Sequence, residues 1–313
     1  MQRAEGGLGQ AVRRVLNAPA LPRVLMVLSM IVFGTISVFV RMIPLPSAEI
    51  ALYRAVLATV VISIVALVGR FPMNRSVIRR ALPVLIASGG LMGFNWILIF
   101  EAYRYTTVSI TTLAVYMAPV IVVALSPLVL KERLRPFQVF CFVMAVVGFV
   151  LIVGVDTTAS SNHGLGIALG LGAAAMYACV VLLNKRSLGV HVIHRTLLQF
   201  VAAAVLLAIY VAMTGGFHLS NLDLPGTVSM LVLGIVHSGI TYCLYFYALS
   251  RLRAQEIGIL SFIDPLVAVL ISALFFREPF GPLQMLGAVI ILVFAWLSES
   301  RGPSARRIRN NNA

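Results

Sequence analysis

Asp264 is the residue whose type and setting could most directly do chemistry, because it sits in a long apolar run immediately before Pro265. Proline has no amide N–H, so a carbonyl in the preceding turn loses its helical partner. An acid beside that exposed backbone polarity could bind an ammonium group or exchange a proton. The competing role is a structural Asp bonded to a neighbouring helix. His237, also deep in an apolar run, titrates near neutrality when unperturbed and is a proton-coupling candidate with Asp264 or Glu101; the competing role is a satisfied hydrogen-bonding histidine. Arg54 could pair with Glu49 or with Glu101 across helices, and an anionic group of a ligand could compete for it. Asn95, Trp96, Tyr116, Tyr177, His237 and Tyr242 could furnish a binding surface with Asp264, since aromatic walls suit a flat apolar ligand and the amide, imidazole and hydroxyls could orient its polar groups. For each of them packing or interhelical bonding competes.

Other residues read as structural. Pro119 and Pro265 would kink the helices that hold them, for access or for packing. Glu132 and Glu278 recur at equivalent places and could cap the following helix or hold a loop cation. Tyr103, Tyr105 and Trp296, near the ends of apolar runs, read as interfacial anchors. Cys141, Cys179 and Cys243 show no metal spacing and read as buried thiols. No Walker loop, HExxH, nucleophile elbow or paired Cys/His pattern occurs, so no catalytic residue, metal or cofactor is assigned, and an ATP-driven pump within this chain is disfavoured.

The elements that must position these residues follow from composition. The 313 residues are 60% hydrophobic and 11% charged, against about 25% charged in soluble domains. Too few charges exist to cover a water-soluble globule of this size, so the surrounding solvent is lipid. A spanning helix needs about 20 mostly apolar residues, and ten windows qualify: 22–42, 47–68, 81–102, 108–128, 137–153, 164–184, 196–213, 228–248, 256–276 and 283–298. The runs are continuous rather than alternating, which excludes a β-barrel. The first is too long for a signal peptide and is expected to be retained.

Charge then sets the orientation. With the amino terminus in the cytoplasm, 20 of the 24 Lys and Arg residues fall on inside segments, which places both termini inside. That bias accounts for the net charge of +14 without nucleic acid as a partner. The small-residue pairs Gly89 and Gly93, Gly166 and Gly170, and Ala174 and Ala178 would let helices approach closely.

The chain also repeats itself. Residues 93–138 align without a gap on 239–284 at an offset of 146, matching Pro119 with Pro265, Glu132 with Glu278, Pro136 with Pro282 and Gln138 with Gln284. Asp264 has Ala118 as its counterpart, so the acid is not demanded by the repeat. Each half holds five spans, an odd number, so the second copy must cross in the opposite direction. Inverted repeats of this kind can exchange conformations and expose a central site to either side in turn, the hallmark of a transporter.

Two five-helix halves, the paired segments APVIVVALSPLVLKERLRPFQ and DPLVAVLISALFFREPFGPLQ, and the Phe33-Gly34 pair in the first span together resemble the drug/metabolite transporter superfamily, in particular its ten-helix EamA-type members. The resemblance covers residues 22–298. It implies an all-α integral membrane fold of ten transmembrane helices in two inverted repeats, and a metabolite carrier, often an exporter, in a bacterial inner membrane. Within that superfamily it most resembles the exporters of amino acids and aromatic metabolites. The expected organisation is a cytoplasmic arm over 1–21, repeats over 22–155 and 156–299, and a basic cytoplasmic tail over 300–313. The expected partners are a small-molecule substrate and membrane lipids, with the oligomeric state open and a monomer compatible. A drug- or nucleotide-type metabolite carrier of the same fold is the alternative within the family, and a passive channel or scaffold, and an intramembrane enzyme using Asp264 and His237, are the rival classes.

Overall fold

The computed structural model describes residues 20–130, 136–153, 162–184, 189–249, 251–252, 254–278 and 280–300. The arm, the tail and Glu132 lie outside the described residues. Every regular element described is helical: α1 (Leu21–Gly34), α2 (Ile36–Arg41), α3 (Ser47–Gly69), α4 (Arg75–Tyr105), α5 (Val108–Val115), α6 (Ala118–Leu130), α7 (Pro136–Val153), α8 (His163–Asn184), α9 (Val192–Thr214), α10 (Leu224–Leu231), a π-helical stretch (Val232–Ile240), α11 (Thr241–Leu249), α12 (Ala254–Ser261), α13 (Ile263–Leu274) and α14 (Pro282–Ser300).

Among the described residues six helices are long and apolar enough to cross a membrane: Leu21–Arg41, Ser47–Gly69, Arg75–Tyr105, His163–Asn184, Val192–Thr214 and Leu224–Leu249. Val108–Val122, Val139–Leu151, Ile263–Leu274 and Pro282–Phe294 are shorter apolar helices. The helix around Trp96 outruns its 81–102 window at both ends. Asn74 caps it, its side chain accepting from the Ser76 and Val77 amides, so an Arg-rich first turn that hydropathy scores against still belongs to the helix.

Three of the apolar stretches are interrupted. A break at Thr35 separates α1 from α2, one at Tyr116 and Met117 separates α5 from α6, and one at Phe262 separates α12 from α13. The last two precede Pro119 and Pro265, and the offset of 146 equates Tyr116 with Phe262. The rings of those two residues lie 6.2 Å apart, so the two interruptions meet.

Packing across the halves is reciprocal. α3 packs on α9 and α7 on α14; α4 packs on α8 as α11 packs on α1, and α5 lies against α13. One core gathers around Ala51, Trp96 and Phe200, a second around Leu113, Ala174 and Ile291. Large apolar side chains such as Leu67, Met213 and Leu274 point outward, the inverse of a water-soluble surface. Helix contacts are close where glycines allow it. A Cβ on Gly89 would run into the Gln199 carbonyl of α9, and one on Gly34 would stand 2.6 Å from Val267 Cβ and 2.8 Å from the Asp264 carbonyl. Gly34→Ala is therefore expected to separate α1 from α13 and to lower stability by about 1–3 kcal/mol, read as an earlier thermal unfolding transition in detergent.

The connector before α9 carries a pH-dependent cap. His191 Nδ1 accepts the Ile193 amide at 3.4 Å, and the ring stacks on Phe71 at a centroid distance of 4.9 Å. Burial, and then the neighbouring His194, hold its pKa below the ordinary 6.5. The unfolded chain then binds the proton more readily than the folded one. The stabilisation is complete above pH about 6.5 and is lost as pH falls from there through the lowered value. His191→Asn, which caps without titrating, should flatten the dependence of the unfolding temperature on pH over that window.

Candidate functional site

The site begins at the backbone defect that Pro265 creates. Without an N–H at residue 265, the Ser261 carbonyl has no donor within its own helix. Tyr116 Oη, from the interruption between α5 and α6, reaches it at 3.1 Å and lies 3.1 Å from Asp264 Oδ2 as well. A phenol has one proton to give and here faces two acceptors. Both contacts are hydrogen bonds at once when Asp264 carries a proton and donates to the phenol oxygen; with Asp264 ionised, the phenol must choose between them. Asp264 and Tyr116 are each only partly buried, so the pair is not sealed by packing.

A second cluster surrounds Arg54, which is 3% exposed. Its Nε donates to Ser238 Oγ at 2.5 Å, and its guanidinium carbon lies 4.5 Å from the centre of the Trp96 ring and 5.7 Å from that of Phe100. Trp96 packs on Phe200, and Phe200 on Tyr242, which also meets Phe33 and Phe246. Ser238 is presented by the π-helical stretch, where its hydroxyl bonds the Leu233 carbonyl five residues back. The wider turn seats Gly234 and Gly239 against Leu57 and Val61 of α3 and brings Ser238 to Arg54. The Tyr242 and Tyr103 hydroxyls each lie within electrostatic reach of both Arg54 and Asp264.

The remaining sequence candidates are placed elsewhere. Asn95 Nδ2 donates to the Ala173 carbonyl at 2.7 Å and joins α4 to α8 one turn before Tyr177, which is 47% exposed. His237 is 2% exposed, with Nε2 3.0 Å from Thr35 Oγ1 and Nδ1 3.2 Å from the Val232 carbonyl. It joins the π-helical stretch to the break between α1 and α2 and makes no hydrogen bond to Asp264. Glu101 accepts from Ser47 Oγ at 2.6 Å and lies 3.8 Å from Arg104.

Two expectations need correction. Arg54 pairs with neither Glu49 nor Glu101: Glu49 is taken by His218, at 2.6 Å to Nδ1 and 2.9 Å to the amide, and by Tyr53. A five-residue spacing puts Glu49 and Arg54 on different helix faces, which sequence distance alone conceals. Tyr103 is not an interfacial anchor. Its hydroxyl bonds Thr112 and faces the charged interior, because α4 continues past it to Tyr105. Glu278 holds a cation, Arg41 at 2.6 Å, but the amide it accepts from is Val108 of α5 at 2.9 Å, not one in the following helix. Ser238, Ser261 and Thr35 escaped the sequence reading. Only Ser261 had a signal, its place four residues before Pro265.

Comparison with known proteins decides the family. The model of the EamA-like transporter family matches residues 22–154 and again 164–299. The chain belongs to that family. It is 30% identical over 276 residues to the uncharacterised transporter YxxF of Bacillus subtilis, covering 87% of each chain. It is 27% identical over 214 residues to the biotin transporter of Escherichia coli K12, covering 66% of this chain and 70% of that one. It is 26% identical over 216 residues to the threonine/homoserine exporter RhtA of the same strain, covering 67% and 69%. This EamA-like protein is thus a multi-pass membrane transporter with a small-molecule substrate, and its doubled family match coincides with the internal repeat.

Tyr116→Phe strips the Ser261 carbonyl and Asp264 of their shared donor. An unpaired acceptor away from water costs about 1–3 kcal/mol, so this variant should fold but unfold at a lower temperature than wild type.

Proposed function

We propose that this chain is a secondary transporter that exports small organic metabolites, foremost neutral or aromatic amino acids, across a bacterial inner membrane by alternating access. In this reading it crosses the bilayer ten times as two inverted five-helix repeats, residues 22–155 and 156–299. Both termini, the arm 1–21 and the basic tail 300–313, lie in the cytoplasm. The two halves rock about a polar centre formed by Tyr116 and Asp264.

The contacts between connectors support the alternation. Arg41 and the start of α5 meet Glu278, Glu49 meets His218 and Thr106 meets His163, while Arg23 meets Glu256 and Phe71 meets His194. Each contact joins segments that a ten-span chain with internal termini would carry on the same face. Reciprocal packing of the halves supports inversion.

The observation that carries the functional reading is the meeting of two repeat-equivalent helix interruptions at a partly accessible carboxylate, 3.1 Å from a phenol. A substrate ammonium docking on Asp264 would release the phenol to the Ser261 carbonyl, and a proton on Asp264 would restore the joint bond. Occupancy by substrate and occupancy by proton thus exclude each other at one carboxylate. The threonine/homoserine exporter among the relatives favours an amino acid. The biotin transporter favours a second reading, a carrier of the same fold for another organic metabolite. A passive channel would lack exchange between the two faces, and an enzyme would need a second acid facing Asp264.

Proteoliposomes loaded with unlabelled amino acids should show saturable counterflow of the labelled form. Flux that never saturates would indicate a channel, and no flux across a broad metabolite panel with folded protein would end the proposal. Asp264→Asn should abolish the response of flux to an imposed pH step, lowering it at least about tenfold, while His237→Ala should retain that response if its role is to join helices.

A further inference from the structure

A buried cation in a membrane protein is ordinarily met by an acid, and three arginines near the ends of these helices have one. Arg41 meets Glu278, Arg23 meets Glu256 and Arg104 lies by Glu101. Arg54 does not. Among the described residues no carboxylate comes within 4.0 Å of it, although it is the most buried arginine described. Its guanidinium has five N–H donors. One is satisfied by Ser238, and the four on the terminal nitrogens meet no acceptor among the described residues. Those nitrogens are also absent from the buried unpaired atoms, which are Ser37 Oγ, Ser109 Oγ, Thr111 Oγ1 and His163 Nε2, so they keep accessible area.

Burying an ion without its counter-ion costs several kcal/mol, and the fold nevertheless keeps Arg54 buried. Trp96 and Phe100 supply aromatic faces, the π-helical stretch supplies the Ser238 hydroxyl, and the two acids nearest in sequence are drawn off, Glu49 to His218 and Glu101 to Ser47. What remains is a planar fork with both terminal groups unspent, the geometry that takes a carboxylate through two parallel bonds.

We propose that Arg54 is the carboxylate-binding group of the transport site, so that the substrate is a carboxylate-bearing metabolite whose acid end lies on Arg54. With an amino acid, the ammonium end is the group that would take Asp264. The aromatic face of Trp96 and the Phe200 and Tyr242 rings beyond it form the wall along which a side chain lies. This inference rests on the transport reading for its biological setting, but the site can be read without flux.

Trp96 and Trp296 are the two tryptophans of the chain. In a Trp296→Phe protein the emission of Trp96, stacked against Arg54, reports occupancy of the guanidinium. The probes are threonine, leucine and phenylalanine, each beside its amino-acid amide, which keeps the ammonium and lacks the carboxylate, and 4-methylpentanoate, which has the carboxylate alone. Emission should change saturably with the acids and with 4-methylpentanoate, and at least about tenfold more weakly with the amides. Arg54→Lys, which keeps the charge but not the fork, should retain the preference at reduced affinity, and Arg54→Gln should lose it. Equal responses to acid and amide, or no response to any carboxylate, overturn the proposal. So does an Arg54→Gln protein that still prefers acids. Should Arg54→Gln fail to fold, the wild-type comparison of acid and amide and the Lys variant decide it. Counterflow of substrates lacking a carboxylate would overturn this assignment while leaving the transport reading standing. A carboxylate response at Trp96 in a protein without flux would do the reverse.

Discussion

A proline at residue 265 leaves a backbone carbonyl that cannot be satisfied by its own helix, and the apolar surroundings offer no bulk water to take the missing donor's place. The rest of the interior is arranged around that defect. Tyr116 comes from the equivalent interruption in the other half to donate to Ser261, and in doing so it is held against Asp264. Gly34 lets α1 lie directly over the same turn, within contact of the Asp264 carbonyl. A backbone vacancy thus fixes where two halves meet and which acid stands at the junction.

The second organising constraint is where charge is allowed to remain unpaired. Acids and cations at helix ends neutralise one another across connectors, and these bonds fasten elements distant in sequence: Arg41 to Glu278, Glu49 to His218, Arg23 to Glu256. Arg54 is held by aromatic faces and a hydroxyl instead. A cation retained against its desolvation cost, with its acceptors withheld, is a group kept for something that arrives from outside.

The apolar runs were legible in the sequence because lipid demands a length and a composition that water does not, and Pro119 and Pro265 marked two of their interruptions, whereas the break at Thr35 carried no mark. The repeat was legible through paired Pro and Glu, whose spacing is invisible to hydropathy. Asp264 and Tyr116 were both singled out, the first by its neighbour Pro265 and the second as an aromatic residue deep in a run, but nothing in the linear order says that they touch. Ser238 was passed over because a serine in an apolar helix carries no mark, and only the wider π turn swings it onto Arg54. Tyr103 was misjudged because its nearness to a helix end says nothing of which way it faces.

The amino-acid order determined, by itself, that this chain lives in lipid, that its halves are copies and that an acid stands beside a helix-breaking proline. These are properties of composition and spacing, carried along one dimension. The tertiary structure decided which charges are paired. Glu49 and Glu101 lie close to Arg54 in the chain or across one helix contact, yet each is claimed by a nearer hydroxyl or imidazole, and partner choice depends on side-chain direction around a helix and on which helix lies opposite. Those are matters of three-dimensional packing, and they leave Arg54 without a carboxylate of its own.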